Sequence, residues 1–130
     1  MARVALVLNG LVFTGIGVLT LIDPASMLAS FAVDLPTPVA LAHLRSIQGG
    51  GMAGAGALMW LGLLRRGFRR PALIAAICVM WGFALGRLLG VLVDGATEPA
   101  ILSGAAIEAL LGGLAAVALQ REPEGGPTGR

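Results

Sequence analysis

The sequence has 130 residues, of which 57% are hydrophobic and only 12% are charged. A soluble domain usually carries about twice this charged fraction, so the composition argues against a soluble globular protein. The formal net charge is +2, and all nine basic residues other than histidine are arginines. These arginines are grouped between apolar segments and do not form a stripe, so we expect no nucleic acid partner.

Four apolar blocks follow one another along the chain, and each has about 19 to 25 residues. This is the length that a helix needs to cross a hydrocarbon core about 30 Å thick. The blocks are residues 4–22, 40–64, 72–93 and 100–119. We therefore predict an all-α, integral membrane four-helix bundle over residues 1–120. The polar tail at 121–130 is rich in glycine and proline, so we expect it to be disordered.

The first block also resembles a secretory signal peptide, because Arg3 precedes it and small residues follow it. Its apolar run is longer than the apolar region of a signal peptide, which has roughly 7 to 15 residues. We therefore interpret it as the first membrane span.

The connection after the first block, residues 23–39, predicts a short helix. Asp23 followed by Pro24 is typical of a helix start, and apolar residues follow at helical spacing. This helix would lie on the outer membrane surface or fold back over the bundle as a flap. Thr37 followed by Pro38 predicts the start of the second span.

The arginines also predict the orientation of the chain. Four of the nine lie within residues 65–70, Arg3 precedes the first block, and Arg121 follows the last block. The other two connections, 23–39 and 94–99, contain acidic residues and no arginine. By the positive-inside rule, we expect the arginine-rich connection and both termini of this multi-pass protein to be cytoplasmic.

Two opposite charges lie inside neighbouring spans. Arg87 precedes Asp94 by seven residues, which places it about 10 Å below the outer surface. Glu108 follows Pro99 by nine residues, which places it about 14 Å deep. Because each unpaired charge would cost about 2.5 to 3.5 kcal/mol on insertion scales, we predict that Arg87 pairs with Glu108.

Arg45 lies at a similar depth, about 10 Å from the outer end of the second span. It either extends to the outer head groups or shares Glu108 with Arg87. In the second case the excess positive charge would attract a small anion or an acidic lipid head group. The cluster either fixes helix register alone or has a binding or conducting role. The candidate site consists of Arg45, Gln48, Arg87 and Glu108, with His43, Asn9 and Asp94 as secondary members.

Small residues allow helix backbones to approach closely in lipid, and this chain has twenty glycines. The glycines that we expect at helix interfaces are Gly50, Gly54, Gly82, Gly86, Gly90, Gly104 and Gly112. Residues 49–54 formally match the dinucleotide-binding pattern, but no strand precedes them. We therefore interpret this segment as part of a helix-packing face.

No pattern in the sequence indicates catalysis or a cofactor. His43 has no second histidine or cysteine at metal-ligand spacing, and no nucleophile, base and acid converge. We therefore predict that the protein is not an enzyme and binds no metal. Three roles remain open: a bundle that holds a lipid or small anion, an accessory subunit of a larger membrane complex, and a transporter or channel component that acts as a homo-oligomer.

Three segments have a familiar pattern: HLRSIQGGGMAGAGALMWLGL, GFALGRLLGVLVDGATEP and AAIEALLGGLAAVAL. Over residues 4–120 they resemble the bacterial membrane family called domain of unknown function 4345. The most specific matches are Arg45 with Gly49 and Gly50, Gly86 with Arg87, Asp94 with Gly95, and Glu108. The resemblance implies a four-span protein in which these positions belong to the family pattern, and it implies no particular activity.

Overall fold

The computed structural model describes residues 1–29 and 37–123, and these residues are helical apart from short connections, with no strand among them. Four helices are long and apolar enough to cross a membrane. The elements are α1 (Ala2–Ile22), the short α2 (Pro24–Ala29), α3 (Pro38–Leu64), α4 (Arg66–Asp94) and α5 (Pro99–Gln120). The prediction of an all-α four-helix bundle is confirmed.

Side-chain caps start α2 and α3 at the residues that the sequence indicates. Asp23 Oδ1 accepts a hydrogen bond from the Ser26 backbone N–H at 3.1 Å, and Thr37 Oγ1 accepts one from the Ala40 N–H at 3.1 Å. Hydrogen bonds from the Ser26 side chain and backbone hold the pKa of the Asp23 carboxyl below its usual value. The remainder of the predicted first connection, 30–36, and the tail 124–130 lie outside the described residues.

Two long helices contain π-helical segments that the sequence pattern does not predict. They are Arg45–Gly50 within α3 and Gly90–Asp94 at the end of α4. Their hydrogen bonds join residues five apart, so side chains three or four positions apart no longer share one face. Gly95 follows with φ 71°, a left-handed conformation that glycine adopts without strain. The chain therefore turns sharply between α4 and α5.

The helices pack most extensively in two pairs, α1 with α3 and α4 with α5. The α1–α3 contact is close enough to require glycine, because a Cβ at Gly17 would lie 2.5 Å from the Ala53 backbone nitrogen. A Cβ at Gly56 would similarly overlap Thr14. Trp60 Nε1 donates a hydrogen bond to Thr14 Oγ1 at 2.9 Å. Backbone approach and this hydrogen bond together fix the α1–α3 pair.

The predicted glycine interfaces are right on α5 and wrong on α3 and α4. A Cβ at Gly104 would press against Arg87, and one at Gly112 would overlap Trp81. At the other five predicted positions, an added Cβ would lie at least 3.7 Å from every described atom outside the adjacent backbone. These positions are Gly50, Gly54, Gly82, Gly86 and Gly90. On α3 the packing glycines are instead Gly49, Gly56 and Gly62, and the π-helical segment changes which residues share a face.

The buried core is concentrated at the end of the molecule that holds Ala2, the α3–α4 connection and the end of α5. Its largest fully buried hydrophobic side chains are Leu6, Phe13, Met59, Leu73 and Met80. No hydrophobic residue of α4 after Met80, or of α5 before Ala115, belongs to this buried set, and both helices are described throughout. The helices are therefore tightly packed at one end and leave space at the other.

Replacing Gly17 with alanine should destabilise the protein by about 1 to 3 kcal/mol, because the added methyl group would overlap the backbone of α3. Gly15 lies on the same helix, and a Cβ there meets nothing within 4 Å, so Gly15→Ala is the matched control. Thermal unfolding in a mild detergent measures the difference. Equal stabilities of the two variants would contradict the close α1–α3 contact.

Candidate ligand cavity and its ion pair

A cavity of about 790 Å³ lies where the helices diverge. All four long helices, α2 and the α4–α5 connection contribute to its wall, which is mainly apolar. Along α4 the lining extends from Val79 to Gly90, a length of about 16 Å. Within residues 1–29 and 37–123, the side chains that bring hydrogen-bonding groups to the wall are Gln48, Arg87 and Glu108. The cavity is therefore long, apolar and polar at only a few points.

Arg87 and Glu108 form an ion pair on this wall, which confirms the predicted pairing. Arg87 Nε donates to both carboxylate oxygens of Glu108, at 3.0 Å to Oε1 and 2.9 Å to Oε2. The two side chains are 27% and 13% exposed, respectively. The pair joins α4 to α5 and adds two opposite charges to the wall. Its net contribution to the charge of the cavity is zero.

Gly104 makes room for the guanidinium of Arg87. A Cβ at this position would lie 2.9 Å from Arg87 Cζ and 3.0 Å from Arg87 Nε. Gly104 precedes Glu108 by four residues, so both lie on the same face of α5. The arginine therefore lies against the bare backbone of Gly104 as it reaches the carboxylate one turn further along.

Arg45 does not join the ion pair and does not line the cavity, so the alternative in which it shares Glu108 with Arg87 is wrong. Its Nε donates to the backbone carbonyl of Leu21 at 3.1 Å. Leu21 lies in the last turn of α1, where carbonyl groups lack partners within the helix, and this gives Arg45 a separate acceptor. The excess positive charge that would have favoured a small anion is therefore not assembled beside Glu108.

The secondary residues also lie apart from the ion pair. Asn9 is fully buried, and its Nδ2 donates to the Ala5 carbonyl at 2.9 Å and reaches the Leu111 carbonyl at 3.5 Å. It links α1 to α5 and does not extend the polar network as predicted. His43 and Asp94 are exposed and do not line the cavity.

The position of Gly82, Gly86 and Gly90 on the cavity wall is not evident from the sequence. They line the cavity, and their four-residue spacing places them along one side of α4. Without side chains, they leave the volume in front of α4 open. The same spacing is typical of a helix–helix contact, so only the placement of the neighbouring helices separates the two interpretations.

A family model described as Domain of unknown function (DUF4345) matches residues 1–119. No curated protein and no solved structure matches the chain. The family match covers every residue that lines the cavity.

Replacing Glu108 with alanine should destabilise the protein by about 2 to 4 kcal/mol, because Arg87 Nε would lose the carboxylate that accepts its hydrogen bond at a partly buried site. In a double-mutant cycle with Arg87→Ala, the double variant should be at least about 1 kcal/mol more stable than the sum of the single effects predicts. Unfolding in detergent micelles gives these free energies. Glu98→Ala, at an exposed site before α5, is the control, and additive effects at 87 and 108 would contradict coupling.

Proposed function

We propose that this chain, which belongs to the DUF4345 family, is a membrane protein that binds a lipid or lipid-like molecule in its cavity. The bound molecule would place its hydrocarbon part along the apolar wall and its polar group near Gln48, Arg87 and Glu108. The observation that carries this proposal is a large, mainly apolar cavity with a few hydrogen-bonding groups on its wall.

The size and lining of the cavity support a small-molecule ligand. Ligand sites typically have volumes of about 300 to 1,000 Å³ and are mainly apolar, with a few polar groups that fix orientation. The cavity of about 790 Å³ falls in this range. Its length of about 16 Å along α4 suits an elongated hydrocarbon better than a compact polar solute.

The ion pair favours a ligand whose polar group is uncharged or zwitterionic. Arg87 and Glu108 already compensate each other at 2.9 Å, and Arg45 is held at the end of α1. A fully charged ligand would therefore leave one charge without compensation in an enclosed setting. A hydroxyl, carbonyl or ester group could hydrogen-bond to Gln48 or to the ion pair without this penalty.

The proposed role is binding and not catalysis. Among the residues that the structure describes, the polar side chains on the cavity wall are one amide and one ion pair. Acyl or phosphoryl transfer requires a nucleophile and a base in mutual contact, and this described part of the lining contains no serine, threonine, cysteine or histidine. The carboxylate of Glu108 is engaged with Arg87.

We also propose that both termini face the cytoplasm of a bacterium and that the cavity lies in the outer half of the inner membrane. The arginines near the first helix, the α3–α4 connection and the end of α5 support this orientation. Arg70 Nη1 donates to the Glu122 carbonyl at 3.0 Å, so this connection and the end of α5 lie on the same side. The acidic residues Asp23, Asp94 and Glu98 belong to the opposite connections.

Filling the cavity should displace the bound lipophile. Gly86 lines the cavity, and a Cβ there meets no described atom within 4 Å, so we expect Gly86→Phe to fold while its ring occupies the ligand volume. Native mass spectrometry of protein purified in mild detergent should show a lipid adduct on the wild type and at least about a tenfold lower occupancy on the variant, because a phenyl ring removes much of the contact area.

Gly15→Phe is the control for this experiment, because Gly15 is exposed and lies outside the cavity. It should retain the wild-type adduct. Loss of the adduct in both variants, or a wild type that binds nothing from a total lipid extract, would contradict the proposal. A larger protein that co-purifies in place of a lipid would favour the accessory-subunit role.

Reporter fusions test the orientation separately. Alkaline phosphatase is active only after export, so a fusion within residues 65–70 should be inactive and a fusion near Gly95 should be active. Green fluorescent protein at the same two positions should give the reciprocal pattern. An active phosphatase fusion in the arginine-rich connection would show that the chain is inserted the other way round.

A further inference from the structure

Six of the nine arginines lie at the tightly packed end of the molecule. Contacts within the core bring the corresponding helix ends together, since a Cβ at Gly62 would contact both Leu6 and Ala72. Glu122 lies just after α5, and its Oε1 is 3.6 Å from Arg69 Nη1. The six arginines of this basic end are Arg3, Arg65, Arg66, Arg69, Arg70 and Arg121.

Among the described residues, the charge of the basic end is poorly compensated. Glu122 is the only acidic residue at this end in the described part of the chain, so six arginines face one carboxylate. Glu122 is engaged by two of them, since its carboxylate pairs with Arg69 and its backbone carbonyl accepts a hydrogen bond from Arg70. These two arginines tie the end of α5 to the start of α4.

The remaining four arginines are exposed. Within residues 1–29 and 37–123, the structure gives the side chains of Arg65 and Arg66 no hydrogen bond or ion pair, and the same holds for Arg3 and Arg121. Guanidinium groups bind phosphate well, because their parallel N–H donors match two of its oxygens. These four side chains are therefore available to an external anion.

Apolar residues flank the exposed arginines of the α3–α4 connection. Leu64 is 81% exposed and Phe68 is 42% exposed, and they lie on either side of Arg65 and Arg66. Exposed apolar side chains at the end of a membrane-spanning helix are stable against lipid, and a neighbouring arginine then lies at the level of the head groups. This arrangement favours a lipid phosphate over a soluble anion or a nucleic acid.

We propose that the basic end is a binding site for the phosphate groups of anionic phospholipids in the adjacent leaflet. Basic surfaces beside the ends of membrane helices recognise such head groups, and Arg65 and Arg66 are the central contacts. The site is separate from the cavity, because Arg65 lies seventeen residues beyond Gln48, or about 25 Å along α3. It therefore does not depend on the proposed function of the cavity.

The test uses the full-length protein in a nonionic detergent, titrated with phosphatidylglycerol or with phosphatidylcholine and followed by native mass spectrometry. Gly86→Phe, which fills the cavity proposed for an uncharged or zwitterionic lipid, should bind phosphatidylglycerol at least about fivefold more tightly than phosphatidylcholine, because the head-group charge supplies the attraction at the basic end. Arg65→Gln/Arg66→Gln should weaken phosphatidylglycerol binding by about tenfold or more, since two favourable charges are lost. Arg65→Lys/Arg66→Lys keeps both charges and should remain within about threefold of the wild type.

Arg45→Gln is the control. Arg45 is an exposed arginine that donates to the Leu21 carbonyl near the last residue of α1, and it is therefore remote from the basic end. It should bind phosphatidylglycerol as the wild type does. Equal affinity of Gly86→Phe for the two lipids, or unchanged binding by Arg65→Gln/Arg66→Gln, would overturn the proposal. Displacement of phosphatidylglycerol by millimolar inorganic phosphate would also overturn it, because the site would then be one for a soluble anion.

If Arg65→Gln/Arg66→Gln does not fold, Arg121→Gln provides an independent variant at the end of α5. It should weaken phosphatidylglycerol binding by about threefold to fivefold, since one charge is lost. Unchanged binding by this variant would count against the site. Cavity variants such as Gly86→Phe should leave phosphatidylglycerol binding intact, so failure of one proposal is distinguishable from failure of the other.

Discussion

The packing of α4 against α5 depends on the requirement that a charge inside a membrane helix be compensated. Arg87 and Glu108 meet this requirement for each other, with the guanidinium Nε at 2.9 to 3.0 Å from both carboxylate oxygens. An isolated charge at this depth would cost about 2.5 to 3.5 kcal/mol on insertion scales, so the pair strongly favours one register of the two helices. Gly104 is the local adjustment that this register requires, because any larger residue would press against the arginine.

The two helix pairs use small residues for different purposes. On α1 and α3, glycines allow the backbones to touch, as the 2.5 Å approach to Ala53 at Gly17 shows. On α4, Gly82 and Gly86 border a cavity. A Cβ added at either position would lie more than 4 Å from every described atom of the neighbouring elements. Close packing stabilises the basic end, and the divergence of the helices at the other end creates the cavity. The distribution of buried hydrophobic residues follows the same division.

The sequence predicts well those features that depend on one helix or on one energetic requirement. Span lengths follow from bilayer thickness, and the Arg87–Glu108 pair follows from equal depth and opposite charge. Arg45 had the same depth and charge as Arg87, but two possible acceptors. The prediction failed there because the free carbonyl of Leu21 depends on where α1 ends relative to α3, and no periodicity within one helix specifies this.

The glycine predictions failed for a related reason. A four-residue spacing shows that a helix has a smooth side, but what lies opposite depends on the crossing of the other helices and on changes in helical register. The π-helical segments at Arg45–Gly50 and Gly90–Asp94 alter that register, and intrinsic propensities give little indication of them. π-helical segments are frequent at functional sites, and each of these two segments contains a residue that lines the cavity, Gln48 in the first and Gly90 in the second.

The internal neutrality of the ion pair also limits what the cavity can accept. If Arg87 also bound an anionic ligand, that anion and the carboxylate of Glu108 would bring two negative charges to one arginine. The excess negative charge would carry a free-energy cost at this partly buried site. A neutral polar group incurs no such cost, because it can hydrogen-bond to the pair while the pair remains intact. The ion pair can therefore hold α4 against α5 and orient a lipophile at the same time, and a structural role for these residues does not compete with a binding role.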